Sequence, residues 1–169
     1  MIELSERTTL VPFGTKMKFG GTFDLQELYH ELERWFRHFG YSWKETKYRL
    51  YDQPSGLQQI EIKWHCTRKV DDYQKFTLDL HWQALVTEVE ANIEGVKKKL
   101  KKGSMEFRTE AYITKNVPPN WKTPLGKIFW LIYERILIKK RLADYEAILF
   151  GESQRCYDEI RAFFKYYGT

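Results

Sequence analysis

Cysteine is nearly missing from this chain. Cys66 and Cys156 are the only two, 90 positions apart, too few to build a disulfide framework; they point to reducing, cytoplasmic surroundings. No stretch approaches the roughly 18 uncharged apolar residues that span a bilayer, so no membrane span is expected. The opening MIELSERTTL carries two glutamates and no apolar run, which does not read as a secretory signal. With 5 prolines and 10 glycines, scattered rather than clustered, the chain has no linker, and it shows no internal repeat. A single domain over residues 1–169 follows.

The spacings that mark catalysis are also missing. Four histidines, His30, His38, His65 and His81, occur without a CxxC, an HExxH or a paired acidic loop, so neither a metal nor another cofactor is expected. Cys66 shares a strand face with Ile62 and Trp64, and Cys156 lies on a helix stripe. Both read as small buried apolar residues rather than thiolate nucleophiles. There is no G-x-S-x-G elbow. The segment KFGGTFDL has two glycines before a helix but not the spacing of a phosphate-binding loop, and Asp24 places a negative charge there. Asp71-Asp72 reads as turn chemistry, and Glu88, Glu90 and Glu94 as an outward row on a strand. These absences favour a protein that is not an enzyme.

What the chain has in excess is aromatic side chains, 17% of residues, enough for a sizeable core in a composition that is otherwise ordinary for a globular protein. Leu25, Leu28, Tyr29, Leu32, Trp35, Phe36 and Phe39 recur at helical spacing. Asp24 and Glu27 make a capping box before them and Gly40 a stop, which predicts a helix over 25–39. Upstream, residues 8–19 read as an edge strand or bent arm that Gly20-Gly21 ends. From 41 to 116 the period changes to two. Ile60, Ile62, Trp64 and Cys66 share one face, as do Phe76, Leu78, Leu80, Trp82, Ala84 and Val86. Both sets are even-numbered, so the connecting turn near 70–72 has an odd number of residues. A three-residue loop pairs Trp64 with Leu78, Ile62 with Leu80, and Glu61 with His81. Trp64 and Trp82 then face inward on neighbouring strands, two residue pairs apart.

The strand 41–52 slips in parity between Trp43 and Tyr48, suggesting a bulge, and DQPSG turns it into the next strand. After Val86 the parity changes again, to Val89, Ala91 and Ile93, read as a second kink or bulge. Thr123-Pro124 is a helix start, and residues 124–142 and 143–167 read as helices that join or kink near Gly151. The fold class is therefore α+β: a two-layer domain in which an antiparallel meander of about five or six strands is packed by one N-terminal helix and long C-terminal helices.

Charge is concentrated in one place. The chain has 28 basic and 23 acidic residues, a net +5. Lys97, Lys98, Lys99, Lys101 and Lys102 supply all of it, since the other 23 basic residues balance the 23 acidic ones. Bracketed by Gly95 and Gly103, this run predicts a projecting basic hairpin over 96–103 that contacts RNA phosphates, as in a ribonucleoprotein. The alternative is a solvated loop whose charges only keep an edge strand from pairing. Lys139, Lys140 and Arg141 offer a second contact, and Tyr41, Trp43, Tyr48 and Tyr51 are either stacking surfaces or equally well core residues. If all five lysines meet single-stranded phosphates, the log–log salt slope approaches roughly −3.5. A lysine at an exposed loop tip has no partner to lose, so a charge change at Lys98 is expected to leave folding untouched.

Two other functions compete. The order of one early helix, a curved meander and a long last helix resembles the helix-grip layout of START-like ligand-binding domains. That resemblance implies a pocket for a small hydrophobic ligand between sheet and last helix, lined by Trp64, Phe76, Trp82, Phe107, Phe163 and Phe164. The helix 125–138 (LGKIFWLIYERILI) is apolar around much of its circumference. It suits a structural or assembly protein in which that helix covers the sheet or meets a second copy; lying on a membrane is the lesser alternative.

Overall fold

The computed structural model describes residues 6–12, 16–115, 123–133, 135–136 and 139–167. Six antiparallel strands form one sheet: β1 (Glu6–Val11), β2 (Lys16–Phe23), β3 (Ser42–Asp52), β4 (Leu57–Lys69), β5 (Gln74–Ile93) and β6 (Val96–Lys115). The order across the sheet is β1-β6-β5-β4-β3, and β2 also pairs with β6. β1 runs along Ala111–Lys115 and β2 along Lys101–Arg108, so the two share one edge end to end. The break between them follows Val11 and exposed Pro12, as the arm predicts. Gly20-Gly21 does not end it: both lie within β2, opposite Ser104 and Gly103.

Among the described residues three helices complete the α+β fold: α1 (Leu25–His38), α2 (Pro124–Tyr133) and α3 (Lys139–Tyr167). The Asp24 side chain accepts from the Glu27 amide at 3.1 Å, satisfying one of the helix's free donors. Leu28, Leu32, Trp35 and Phe36 bury the predicted stripe. α3 runs through Gly151 unbroken; the division between the C-terminal helices lies instead between Tyr133 and Lys139.

The inner face of the sheet is the even-numbered set on β4 and β5, as the alternation requires. Ile62, Trp64, Cys66, Phe76, Leu78, Leu80 and Trp82 are all buried, against α1 and α3. The pairing, however, differs by two residues from the three-residue-loop reading. Trp64 opposes Leu80, Ile62 opposes Trp82 and Glu61 opposes Gln83. The connection from the Lys69–Lys75 pair encloses residues 70–74, odd in number as parity demands but longer. Asp71 explains the length: its carboxylate accepts from the Tyr73 and Gln74 amides at 2.8 and 2.7 Å, holding a wider turn. Trp64 and Trp82 then meet on a diagonal, edge to face, with ring centroids 4.9 Å apart.

The β3 bulge is present, with the register shifting between Glu45 and Lys47. The expected second bulge after Val86 is absent: β5 and β6 pair without interruption from Gln74–Lys115 to Ile93–Val96. The covered side nonetheless changes parity past Val86, to Val89, Ala91 and Leu100. Gly103, opposite Val86, sits at the change. A Cβ there would stand 2.1 Å from the Leu85 carbonyl oxygen, so only glycine permits so close an approach.

A buried polar knot ties α3 to the rest. Tyr41 donates to Glu152 at 2.6 Å, and Arg68 donates to Glu152 at 2.8 Å and to the Phe39 carbonyl at 2.5 Å. Burial, reinforced by the neighbouring Glu152 carboxylate, pushes the Tyr41 hydroxyl far above its usual range. Cys66 and Cys156 are free and buried, and desolvation raises both thiols, as befits apolar packing residues.

Candidate nucleic-acid interface

The lysine run is a strand, not a loop. The turn consists of Glu94 and Gly95, at φ 50° and 83°, the two left-handed residues of a tight two-residue hairpin. Val96–Lys102 is therefore the first stretch of β6, paired with Thr87–Ile93. Alternation along a strand sends successive lysines to opposite sides.

On one side Lys98 reaches back to the start of α1. Its ammonium lies 2.6 Å from the Asp24 carboxylate and 3.8 Å from Glu27. Lys98 is thus not the partner-less tip residue that a projecting finger implies. Burial opposes ionisation of Asp24, but the Lys98 ammonium and the Glu27 and Gln26 amides outweigh it and hold the carboxyl below its usual range. On the other side Glu88 receives Lys99 at 3.0 Å and Lys101 at 3.3 Å, and both ammoniums hold its carboxyl down. Lys101 also donates to the Gln58 side chain. Among the described residues, Lys97 and Lys102 have no carboxylate within salt-bridge distance.

Between the hairpin and α1 runs an open groove of about 460 Å³. Lys97, Lys98, Lys99 and Lys101 line it together with Leu25, Tyr29 and Tyr48. Tyr48 is 53% exposed and presents its ring to solvent. Tyr29 donates to Glu45 at 2.9 Å; burial and that carboxylate push its hydroxyl up to about 12, so it stays protonated. The arrangement offers cations beside an aromatic ring, chemistry that suits a phosphate chain with an adjacent planar base.

The other residues singled out in the sequence fall elsewhere. Lys102 is exposed but outside the groove. Lys139, Lys140 and Arg141 form the first turn of α3, and neither Lys140 nor Arg141 is among the described residues lining the groove. Tyr41 is buried in the Glu152 knot, and Trp43 is half-buried, packed on Trp64 at 4.7 Å, and does not line the groove. Tyr51 is exposed toward the end of β3. The acidic partners Asp24, Glu27 and Glu88 had no signal as a set. Reading Glu94-Gly95 as a two-residue turn would have put Glu88 opposite Lys101; the Lys98–Asp24 contact depends on how the hairpin curls.

Histidines do not gather. On the outer face His65 bonds Asp79 at 2.6 Å and His81 bonds Glu61 at 3.1 Å. Desolvation and the Lys63 ammonium lower the His81 value, against the pull of Glu61. Among the described residues no group of three His, Cys, Asp or Glu is placed to hold a metal ion, and no helix is long and apolar enough to cross a membrane.

No protein-family model and no curated protein matches the chain. Among solved structures, an uncharacterized protein from Rhizobium leguminosarum is similar over 98% of this chain and 99% of its own. The identity is 12% and the TM-score 0.26, a likeness that carries no argument.

Proposed function

We propose that this is a non-enzymatic binding protein that takes a single-stranded RNA backbone in the groove between α1 and the β5–β6 hairpin. The observation that carries the reading is that four of the five lysines holding the net charge line one groove beside Tyr48. Lys97 contributes a charge with no carboxylate within salt-bridge distance among the described residues, while Lys99 and Lys101 exchange an exposed carboxylate, Glu88, for phosphates. Support for a START-like pocket is weaker, because Phe19, Phe23, Phe107 and Phe164 pack against one another where the sheet meets α3.

Fluorescence anisotropy with a labelled single-stranded RNA tests the proposal. Four groove lysines predict a log–log salt slope near roughly −2.8, short of the value for five. The Lys97→Gln/Lys99→Gln variant should weaken binding strongly, and Lys102→Gln, outside the groove, should weaken it least. Unchanged affinity in the double variant would sink the reading.

A further inference from the structure

α2 leaves its most apolar face in solvent. Leu125, Ile128, Phe129 and Ile132 stand at i, i+3, i+4 and i+7, a single stripe, and each is more than half exposed. Ile136 beyond them is also exposed, at 73%. The opposite side of the helix is the one that docks: Trp130 is buried, its ring 5.3 Å from that of Tyr73 in the β4–β5 turn, with Tyr133 beside it. A helix expected to cover the sheet is instead docked on the β4–β5 turn through Trp130 and Tyr133, with its apolar stripe turned outward. An isolated exposed leucine means little, but a contiguous stripe of this kind marks an interaction surface.

The charge around the stripe selects the occupant. Over residues 123–141 the sequence carries Lys127, Arg135, Lys139, Lys140 and Arg141 against Glu134 alone, a net +4. Lys127, Arg135, Lys140 and Arg141 are exposed. A twofold contact between two copies would bring this like-charged segment against itself. A surface of anionic lipid headgroups is complementary to it, and the acyl boundary accepts Ile, Leu and Phe without a pocket. We propose that α2 lies in the interface of an anionic lipid bilayer, with its stripe dipped into the acyl boundary and the exposed cations that follow it, Arg135, Lys140 and Arg141, on the headgroups. This surface is separate from the lysine groove and does not rest on RNA binding.

Co-sedimentation of the whole chain with vesicles tests it, using phosphatidylcholine alone and phosphatidylcholine mixed equally with phosphatidylserine. Binding to the mixed vesicles and little to the neutral ones is expected, falling as salt rises. Ile128→Asp/Phe129→Asp should abolish sedimentation while leaving the melting temperature unchanged, since both side chains are exposed. Lys140→Glu/Arg141→Glu should weaken it by at least roughly fivefold for each cation removed. Lys97→Gln/Lys99→Gln should sediment like the parent. Three results overturn the proposal: no binding to the mixed vesicles, binding that follows the hairpin lysines instead of the stripe, or a dimer that Ile128→Asp/Phe129→Asp dissociates, which would assign the face to a second copy.

Discussion

The two ends of the β5–β6 ladder share one uninterrupted hydrogen-bond register and almost nothing else. From Phe76–Ile113 to Ala84–Met105 the inner face is fully buried, with aromatic rings in mutual contact. Beyond Gly103 only Leu100 is buried, and the cohesion comes from Lys98 on Asp24 and from Lys99 and Lys101 on Glu88. One strand pair is thus held by excluded water at one end and by screened charge at the other. Exposed ion pairs are individually weak, which describes Lys99 and Lys101 on Glu88, whereas the Asp24 carboxylate that Lys98 meets is itself buried.

The comparison breaks most readily at the buried end. Trp64→Ala should cost about 3–5 kcal/mol, through lost burial and the cavity left behind, measured by denaturant unfolding. A loss near zero would mean that the aromatic cluster does not hold the domain. Next comes the boundary: Gly103→Ala places a Cβ against backbone at Leu85 and Val86 and should cost roughly 1–3 kcal/mol by overpacking. If that variant is as stable as the parent, the ladder is not tight at Gly103.

The charged end should respond less. Asp24→Ala removes the α1 cap and should cost about 0.5–2 kcal/mol. Lys98→Glu sets a like charge beside Asp24 and Glu27, so it should lower the melting temperature, and its effect should largely vanish in the Asp24→Ala background. Additive effects would mean that the two groups do not meet in solution.

Smallest and most specific is the pH dependence. His81 is held below its ordinary 6.5, so its contribution is present above that pH and is lost as pH falls through the lower folded value. Asp24 is held below 3.8; its contribution is complete above 3.8 and is lost on further acidification. In urea melts across this range Lys98→Gln should shrink the second loss and leave the first alone. A change in the loss that begins at 6.5 would couple the hairpin to the outer face instead.

Periodicity and capping, both local properties, determined the α+β class, α1 with Asp24 as its cap, the even-numbered inner face and the β3 bulge. Alternation says which side of a strand a residue takes; it is silent on register, because a shift of two leaves every side chain on the same face. The pairing of Trp64 with Leu80 was decided by the Asp71 carboxylate widening a turn. Parity past Val86 suggested a kink or bulge, whereas the ladder keeps its register past a close approach at Gly103, a contact between strands that neither strand's pattern contains. The five lysines were visible as a charge run, and Glu88 lies in the same hairpin, opposite Lys101; Asp24 lies far along the chain, and only the curl of the hairpin brings Lys98 to the α1 cap. The apolar character of 125–138 was equally plain, yet whether it faced core or solvent depended on Trp130 finding Tyr73. Composition and period are written residue by residue, while the meeting of distant side chains depends on how the whole chain packs.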